Sequence, residues 1–290
     1  MSRPRGFAGW KPQQRTLVRL EAVRVILNEY HAYLPLTLRQ VFYRLIGKDL
    51  LDKSEREYEK LGELLNRARR ARLIPMNTIR DDGFTGGLAL RNDWRDASEF
   101  LADLAGRARG YRRDRQAGQA RRLVIWCEAA GMVPQLERVA RDYGVLVKSS
   151  GGFDSVTVKH NIGRHFGGTT ILHVGDYDPS GECMFDALAE DARAFAEYYG
   201  DAIEFVRLAV TPDHIQRYGL PTAPPKASSH QAKKQLMETT QAEALDPATL
   251  AAIVQVGIES RLDWAVYRQA VDIEEQERAA LLARLGEVTS

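Results

Sequence analysis

Three carboxylates stand where a βα chain concentrates its chemistry. Glu128 closes the apolar run Leu123 to Cys127, while Asp176 and Asp178 follow Thr170 to Val174 in Gly175-Asp-Tyr-Asp-Pro-Ser-Gly-Glu182. In open α/β sheets ligands gather at the carboxyl ends of strands, so acids there have a stronger claim to function than acids elsewhere. Carboxylates at i and i+2 of an extended segment point the same way, so Asp176 and Asp178 can share one cation while Pro179 and Gly181 turn the chain into a helix. Hard oxygen donors with no histidine or cysteine in the motif suit Mg²⁺, with Mn²⁺ as a substitute. An Asp-x-Asp turn alone reads as a solvated helix cap; Glu128 at a neighbouring strand end shifts the balance to a metal site. Glu182 reads as an acid complementing the N-terminal end of the next helix.

A second group of residues suits phosphate. In Asn66-Arg-Ala-Arg-Arg-Ala-Arg72, Arg69 with Arg72, and Arg67 with Arg70, are helical neighbours, so one face is expected to present several guanidinium forks to a nucleic-acid backbone. Lys226, Lys233 and Lys234 lie in a polar stretch that reads as a plain surface loop with basic character. The net charge of +2 conceals an asymmetry. Up to Arg122 there are 26 Lys and Arg against 15 Asp and Glu, and after it 15 against 24, so the halves carry about +11 and −9. A basic half can neutralise phosphates, and an acidic half that must approach a polyanion has reason to bind a divalent cation.

The elements that must position these residues follow from periodicity. Gln14 to Tyr30 reads as an amphipathic helix; Thr37 caps a short helix through Leu38, Val41, Phe42 and Leu45 that ends near Gly47; and Ser54 with Glu57 forms a capping box for a third helix through Leu61, Leu64 and Leu65. The turn-rich Asp81 to Gly87 then reads as a wing, so residues 1–110 are expected to form a winged helix-turn-helix. Residues 111–122 are polar and read as a linker. From 123 to 290 strands alternate with helices, implying a Rossmann-like, mainly parallel sheet with helices on both faces, an α/β unit joined to an α+β one. Helices are expected through Val133 to Tyr143, from about Ser155, and through Met184 to Tyr199, and two more from Pro247 onward. Apolar runs are too short to span a bilayer, no apolar stretch follows Met1-Ser-Arg-Pro-Arg, and Cys127 and Cys183 make no disulfide framework. A cytoplasmic, nucleoid-associated protein is expected.

The order Glu128-Ala-Ala-Gly131 and then Gly175-Asp-Tyr-Asp-Pro-Ser-Gly181 resembles the Toprim domain, and Asp-x-Asp-Pro-x-Gly is similar to the topoisomerase VI A subunit and its meiotic double-strand-break relatives. Ser150 to Ser155 occupies the place of that family's glycine-containing loop, and Gln241-Ala-Glu-Ala-Leu-Asp-Pro247 resembles its C-terminal segment. The resemblance implies a nucleophilic tyrosine on the preceding domain, and Arg39-Gln-Val-Phe-Tyr43 fits that pattern, with Arg39 and Tyr43 four apart on one helix. A phenol with a pKa of about 10 needs a nearby cation to act at neutral pH, a role Arg39 or the metal would fill. On the local pattern alone, Phe42 and Tyr43 read as core aromatics. The chain departs from the family in having Ala129-Ala130-Gly131 where a Lys commonly follows the Glu, and it carries no Gly-x-x-x-x-Gly-Lys-Ser/Thr motif, so ATP-driven strand passage would need a separate ATPase subunit.

The expectation is therefore Mg²⁺-dependent cleavage of double-stranded DNA by a homodimer. Tyr43 of one subunit would serve the acids of the other, with Glu128 catalytic and metal-binding, Asp176 and Asp178 metal-binding, and Arg67, Arg69, Arg70 and Arg72 on the DNA backbone. Two alternatives stay open: a hydrolytic nuclease using water in place of tyrosine, and a DNA-binding or regulatory protein whose acids are inactive.

Overall fold

The computed structural model describes residues 7–80, 93–150, 156–224 and 238–289, leaving aside the side chains at 156–157, 180 and 287–289. The expected wing at 81–87, residues 151–155 of the glycine-containing loop, and Lys226, Lys233 and Lys234 lie outside the described residues. The chain is mixed α/β, built around a four-stranded parallel sheet.

Helix α1 (Gln14–Glu29) buries Leu20, Val23, Ile26 and Leu27 against α2 (Leu38–Ile46) and α3 (Glu55–Arg70). Thr37 accepts from the Gln40 backbone while Gln40 Oε1 accepts from the Thr37 backbone, so α2 starts on a reciprocal cap. Ser54 caps α3 through the Glu57 N–H, but Glu57 does not return the bond: its carboxylate goes to Lys60 (2.5 Å) and Arg19 (3.0 Å). A cation one turn on, Lys60, and one from α1, Arg19, outcompete the expected box. Strands β1 (Leu36–Thr37) and β2 (Ile79–Arg80) form a two-residue parallel ladder on this cluster.

The main sheet has the order β4-β3-β5-β6, made from β3 (Arg122–Cys127), β4 (Leu146–Ser149), β5 (Thr169–Val174) and β6 (Ile203–Ala209). Alternation decides its two faces. Leu123, Ile125, Cys127, Leu172 and Val174 pack on α5 (Val133–Ala140) and α9 (Pro247–Glu259); Val124, Trp126 and Ile171 pack on α6 (Val156–His165) and α7 (Pro179–Tyr198). Gly163 is obligatory where α6 meets α7, because a Cβ there would lie 2.4 Å from Phe195 Cβ and 2.9 Å from the Ala192 carbonyl. Helix α8 (Pro212–Tyr218) follows β6, and its pattern gave no expectation of a helix.

The expected linker is anchored along its length. Helix α4 (Ala97–Arg109) packs on the long α10 (Trp264–Thr289), and residues 111–116 follow α10. Glu274 of α10 is fully buried and receives Arg115 in a two-pronged bond (2.8 and 3.0 Å), the Arg113 N–H (3.1 Å), Arg112 (3.4 Å) and Arg278. Gln116, also buried, bonds the backbone of Leu123 and Gly144, tying this segment to β3 and to the turn before β4.

The Arg115 guanidinium holds the Glu274 carboxyl at about 2, down from an ordinary 4.5. Glu274→Gln would leave a buried guanidinium short of its counter-charge, so it is expected to cost on the order of 3 kcal/mol in urea unfolding at pH 7. A depressed carboxyl pKa stabilises the fold above the unfolded value, so the gap between wild type and E274Q should be full above about pH 4.5 and close as pH falls toward 2.

Candidate active site

Parallel pairing brings the acids together. Cys127 pairs with Val174, so Glu128 follows directly from β3 and Gly175 directly from β5, at the sheet's central pair of strands. The connections leave in opposite directions here, β3 running out to β4 and β5 to β6, which opens the crevice that such sheets use for ligands. Glu128 Oε2 accepts from the Asp176 N–H at 3.1 Å, Asp176 Oδ1 from the Ala242 N–H at 2.8 Å, and Asp178 Oδ1 from the Gly181 N–H at 2.7 Å as the cap of α7. Glycine at 175 leaves room for the Glu128 carboxylate: a Cβ would fall 2.6 Å from Glu128 Oε2 and 2.6 Å from His173 Cε1.

Burial, and then the Asp176 charge, push the Glu128 carboxyl up. Burial likewise raises Asp176, against the pull of the Ala242 N–H. A positive frame lies beneath them. Arg207 of β6 donates to the Asp176 carbonyl and lies 3.0 Å from Glu182, in the first turn of α7, so that acid has a guanidinium partner besides the helix end. A bulge places Leu208 outside the ladder between Arg207 and Ala209, and it is this irregularity that re-aims the edge of β6 next to the acids. His173 lies beside Arg207 (3.3 Å) and stacks on Phe185; burial drives it down to about 3, so it is a neutral ring.

Residues 241–246 bring the N-terminal helices to the same place. Tyr43 donates to Gln241 Oε1 (2.8 Å), Arg39 lies 3.8 Å from the buried Glu243, Arg44 lies 3.1 Å from Asp246, Tyr30 donates to Asp246, and Gln40 donates to Gln135 (2.6 Å). Tyr43, Asp176 and Asp178 thus line one cavity of about 470 Å³, together with Lys53, Thr239, Thr240 and Gln241. The tyrosine and the acids meet within one chain, whereas the resemblance pairs the tyrosine of one subunit with the acids of another. Tyr43 is only 5% exposed, and burial lifts its phenol to about 12, with Arg39 lowering it and Glu243 and Asp176 raising it.

The arginines of the basic stretch differ in what they touch. Arg67 is exposed and lies near Arg15, Arg19 and Lys60. Arg69 donates to the Ile79 carbonyl (3.3 Å), Arg70 to Asn66 (2.8 Å), and Arg72 sits over the Phe7 ring in a left-handed turn that ends the segment. Cys127 is fully buried, and its thiol is pushed well above the ordinary range by that burial.

Among the described residues no three His, Cys, Asp or Glu side chains converge closely enough to form a ready-made cage for an ion. The donor chemistry nevertheless fits a hard cation. Each of the three carboxylates commits one oxygen to a backbone N–H, and the burial and neighbouring Asp176 charge that raise Glu128 are penalties on its charged form that a bound divalent cation offsets. Sequence reasoning missed Lys53, Gln241, Glu243 and Arg207 as residues of this site. Only 241–247 carried any signal, as a stretch resembling the family's C-terminal segment.

No family model, no curated protein and no solved structure matches the chain. No helix among the described residues is long and apolar enough to cross a membrane.

Because the atoms that a Cβ at 175 would strike are the ends of two side chains, Gly175→Ala should fold while displacing the Glu128 carboxylate from the Asp176 N–H. The expected result is a melting temperature within a few degrees of wild type and a Mn²⁺ affinity about 10- to 100-fold weaker by calorimetric titration, as for other lost supports of a metal ligand. Unchanged affinity would remove Glu128 from the ion's ligands.

Proposed function

We propose that this protein cleaves the backbone of double-stranded DNA in a reaction dependent on Mg²⁺ or Mn²⁺, as a topoisomerase VI A-like protein with a winged-helix region and a Toprim-like α/β unit. One observation carries the reading: Tyr43 lines a single cavity with Asp176 and Asp178 although more than a hundred residues separate the tyrosine from the acids. The Glu128 and Asp-x-Asp motif, the placement of its acids at the central strand ends, and the basic character of the first half support it further.

Glu128, Asp176 and Asp178 would hold the cation. When bound, it supplies charge neutralisation at the phosphoryl oxygens and the leaving oxygen. The chain's own residues supply the rest. Tyr43 is oriented by Gln241, and its oxygen forms a bond to phosphorus as the P–O3′ bond breaks, giving a 5′-phosphotyrosyl end and a 3′-hydroxyl. The phenolic proton passes to solvent water and the departing 3′ oxygen takes one up from solvent, so the transfer is proton-neutral. Arg39, held by Glu243, lowers the phenol and thereby opposes the rise imposed by burial. Arg67 and its neighbouring cations would contact the flanking backbone, and a homodimer would cut both strands.

A second reading, hydrolysis with water as nucleophile, is favoured by one specific feature: a phenol at about 12 and 5% exposed is a reluctant nucleophile in this arrangement. Supercoiled plasmid incubated with the protein and Mg²⁺, Mn²⁺ or EDTA separates the two. Tyrosine attack predicts metal-dependent cuts that carry covalently bound protein and vanish in Tyr43→Phe; hydrolysis predicts protein-free cuts that survive Y43F. Asp176→Asn keeps an acceptor for the Ala242 N–H while removing a buried like charge. It should abolish cutting, by at least 100-fold, with a melting temperature in EDTA equal to or above wild type. Duplex binding without cutting under every condition would favour the regulatory alternative.

A further inference from the structure

The cavity that Tyr43 shares with the acids presents an electrostatic difficulty for the substrate proposed above. A phosphodiester carries a negative charge, and two of the groups lining the cavity, Asp176 and Asp178, are carboxylates. Nearby guanidiniums are already committed to acids: Arg39 to Glu243, Arg44 to Asp246 and Arg207 to Glu182. Among the described residues that line the cavity, Lys53 is the one cation.

Lys53 belongs to the connection between α2 and α3, just before the Ser54 cap. Its ammonium reaches across the seam to the Pro221 carbonyl (3.3 Å) and stands 5.8 Å from the centre of the Tyr43 ring. No carboxylate pairs with it among the described residues. One long bond to a neutral carbonyl occupies one of three N–H donors, which leaves the other two for a ligand in the cavity that Lys53 lines. The residue is exposed, so its ammonium is accessible to a strand arriving from solvent.

Resting on the DNA-cleavage reading, we propose that Lys53 is the phosphate-binding cation of this site, contacting a backbone phosphate of the strand that enters the cavity beside Tyr43, Asp176 and Asp178. Its place on the tyrosine's side of the seam lets it draw the strand toward the acids from the opposite wall. The strand-end Glu128 is followed by Ala129-Ala130-Gly131, so no cation comes from that segment, and the α2–α3 connection supplies it instead.

The test uses the full chain with Lys53→Gln and Lys53→Arg. Binding to a fluorescent duplex is followed by anisotropy between 50 and 250 mM salt, about the range over which phosphate contacts are weighed, in Ca²⁺ to separate binding from cutting. Plasmid cleavage is then measured in Mg²⁺. One lost phosphate contact predicts that K53Q binds about five- to tenfold more weakly near 0.1 M salt, that its log–log salt slope is shallower by about 0.9, and that it cleaves more slowly, with K53R close to wild type. If wild type binds and cuts while K53Q matches it in affinity and slope, Lys53 is not a phosphate ligand and the cleavage reading stands. If K53R fails as badly as K53Q with an unchanged salt slope, the residue serves the seam through Pro221 and the proposal falls. If wild type neither binds nor cuts duplex, the cleavage reading falls and takes this inference with it. Matching melting curves for the three proteins establish that loss of binding is not loss of fold.

Discussion

The pairing of β3 with β5 governs the rest of this molecule. Two parallel strands ending in acids must bring like charges side by side at their carboxyl ends, and the register Cys127 with Val174 puts Glu128 opposite Gly175, directly beside Asp176. Three local solutions make that tolerable. A glycine leaves room for the carboxylate, backbone N–H groups of residues 176, 181 and 242 each solvate one acid, and Arg207 from the next strand holds the carbonyl of Asp176 from below. Burial outweighs these supports, and with the Asp176 charge beside Glu128 both Glu128 and Asp176 stay above their ordinary range. A fold that tolerates such a penalty at a crevice has the character of a functional site.

The segment 241–246 is where this constraint meets the N-terminal helices. It gives its Ala242 N–H to Asp176, and it offers Gln241 to Tyr43, Glu243 to Arg39, and Asp246 to Arg44 and Tyr30. One short stretch therefore fixes both the acid that would face a cation and the helix that carries the phenol. The buried bond from Gln40 to Gln135 continues the seam, and because Gln40 also closes the cap of α2, the start of that helix and its docking share one side chain. A site assembled this way depends on the seam being closed, and the burial of Tyr43 records how closely the two parts approach.

Far from the site, the same reliance on polar anchoring appears around Glu274. A stretch rich in arginine between α4 and β3 looks solvated in sequence, yet four guanidiniums and a backbone N–H converge on or beside one buried carboxylate. The charge asymmetry between the halves is thus partly internal: some of the basic residues counted toward a nucleic-acid surface neutralise the acidic C-terminal helix instead.

Local chemistry is what the sequence determined. The periodicities of α1 to α3, the Thr37 and Ser54 caps, the alternating βα series and the strand-end positions of Glu128, Asp176 and Asp178 were all legible, because each depends on neighbours within a few residues. What failed or stayed silent depended on distant partners. Glu57 turned to Arg19 on α1, Arg69 and Arg72 met Ile79 and Phe7, and Lys53, Arg207, Gln241 and Glu243 joined the site through contacts spanning tens to about two hundred residues. A cap or a strand period is written in adjacent side chains; a hydrogen bond between Tyr43 and Gln241 exists only once the sheet, the helices and the seam between them have closed, and tertiary packing alone decided it.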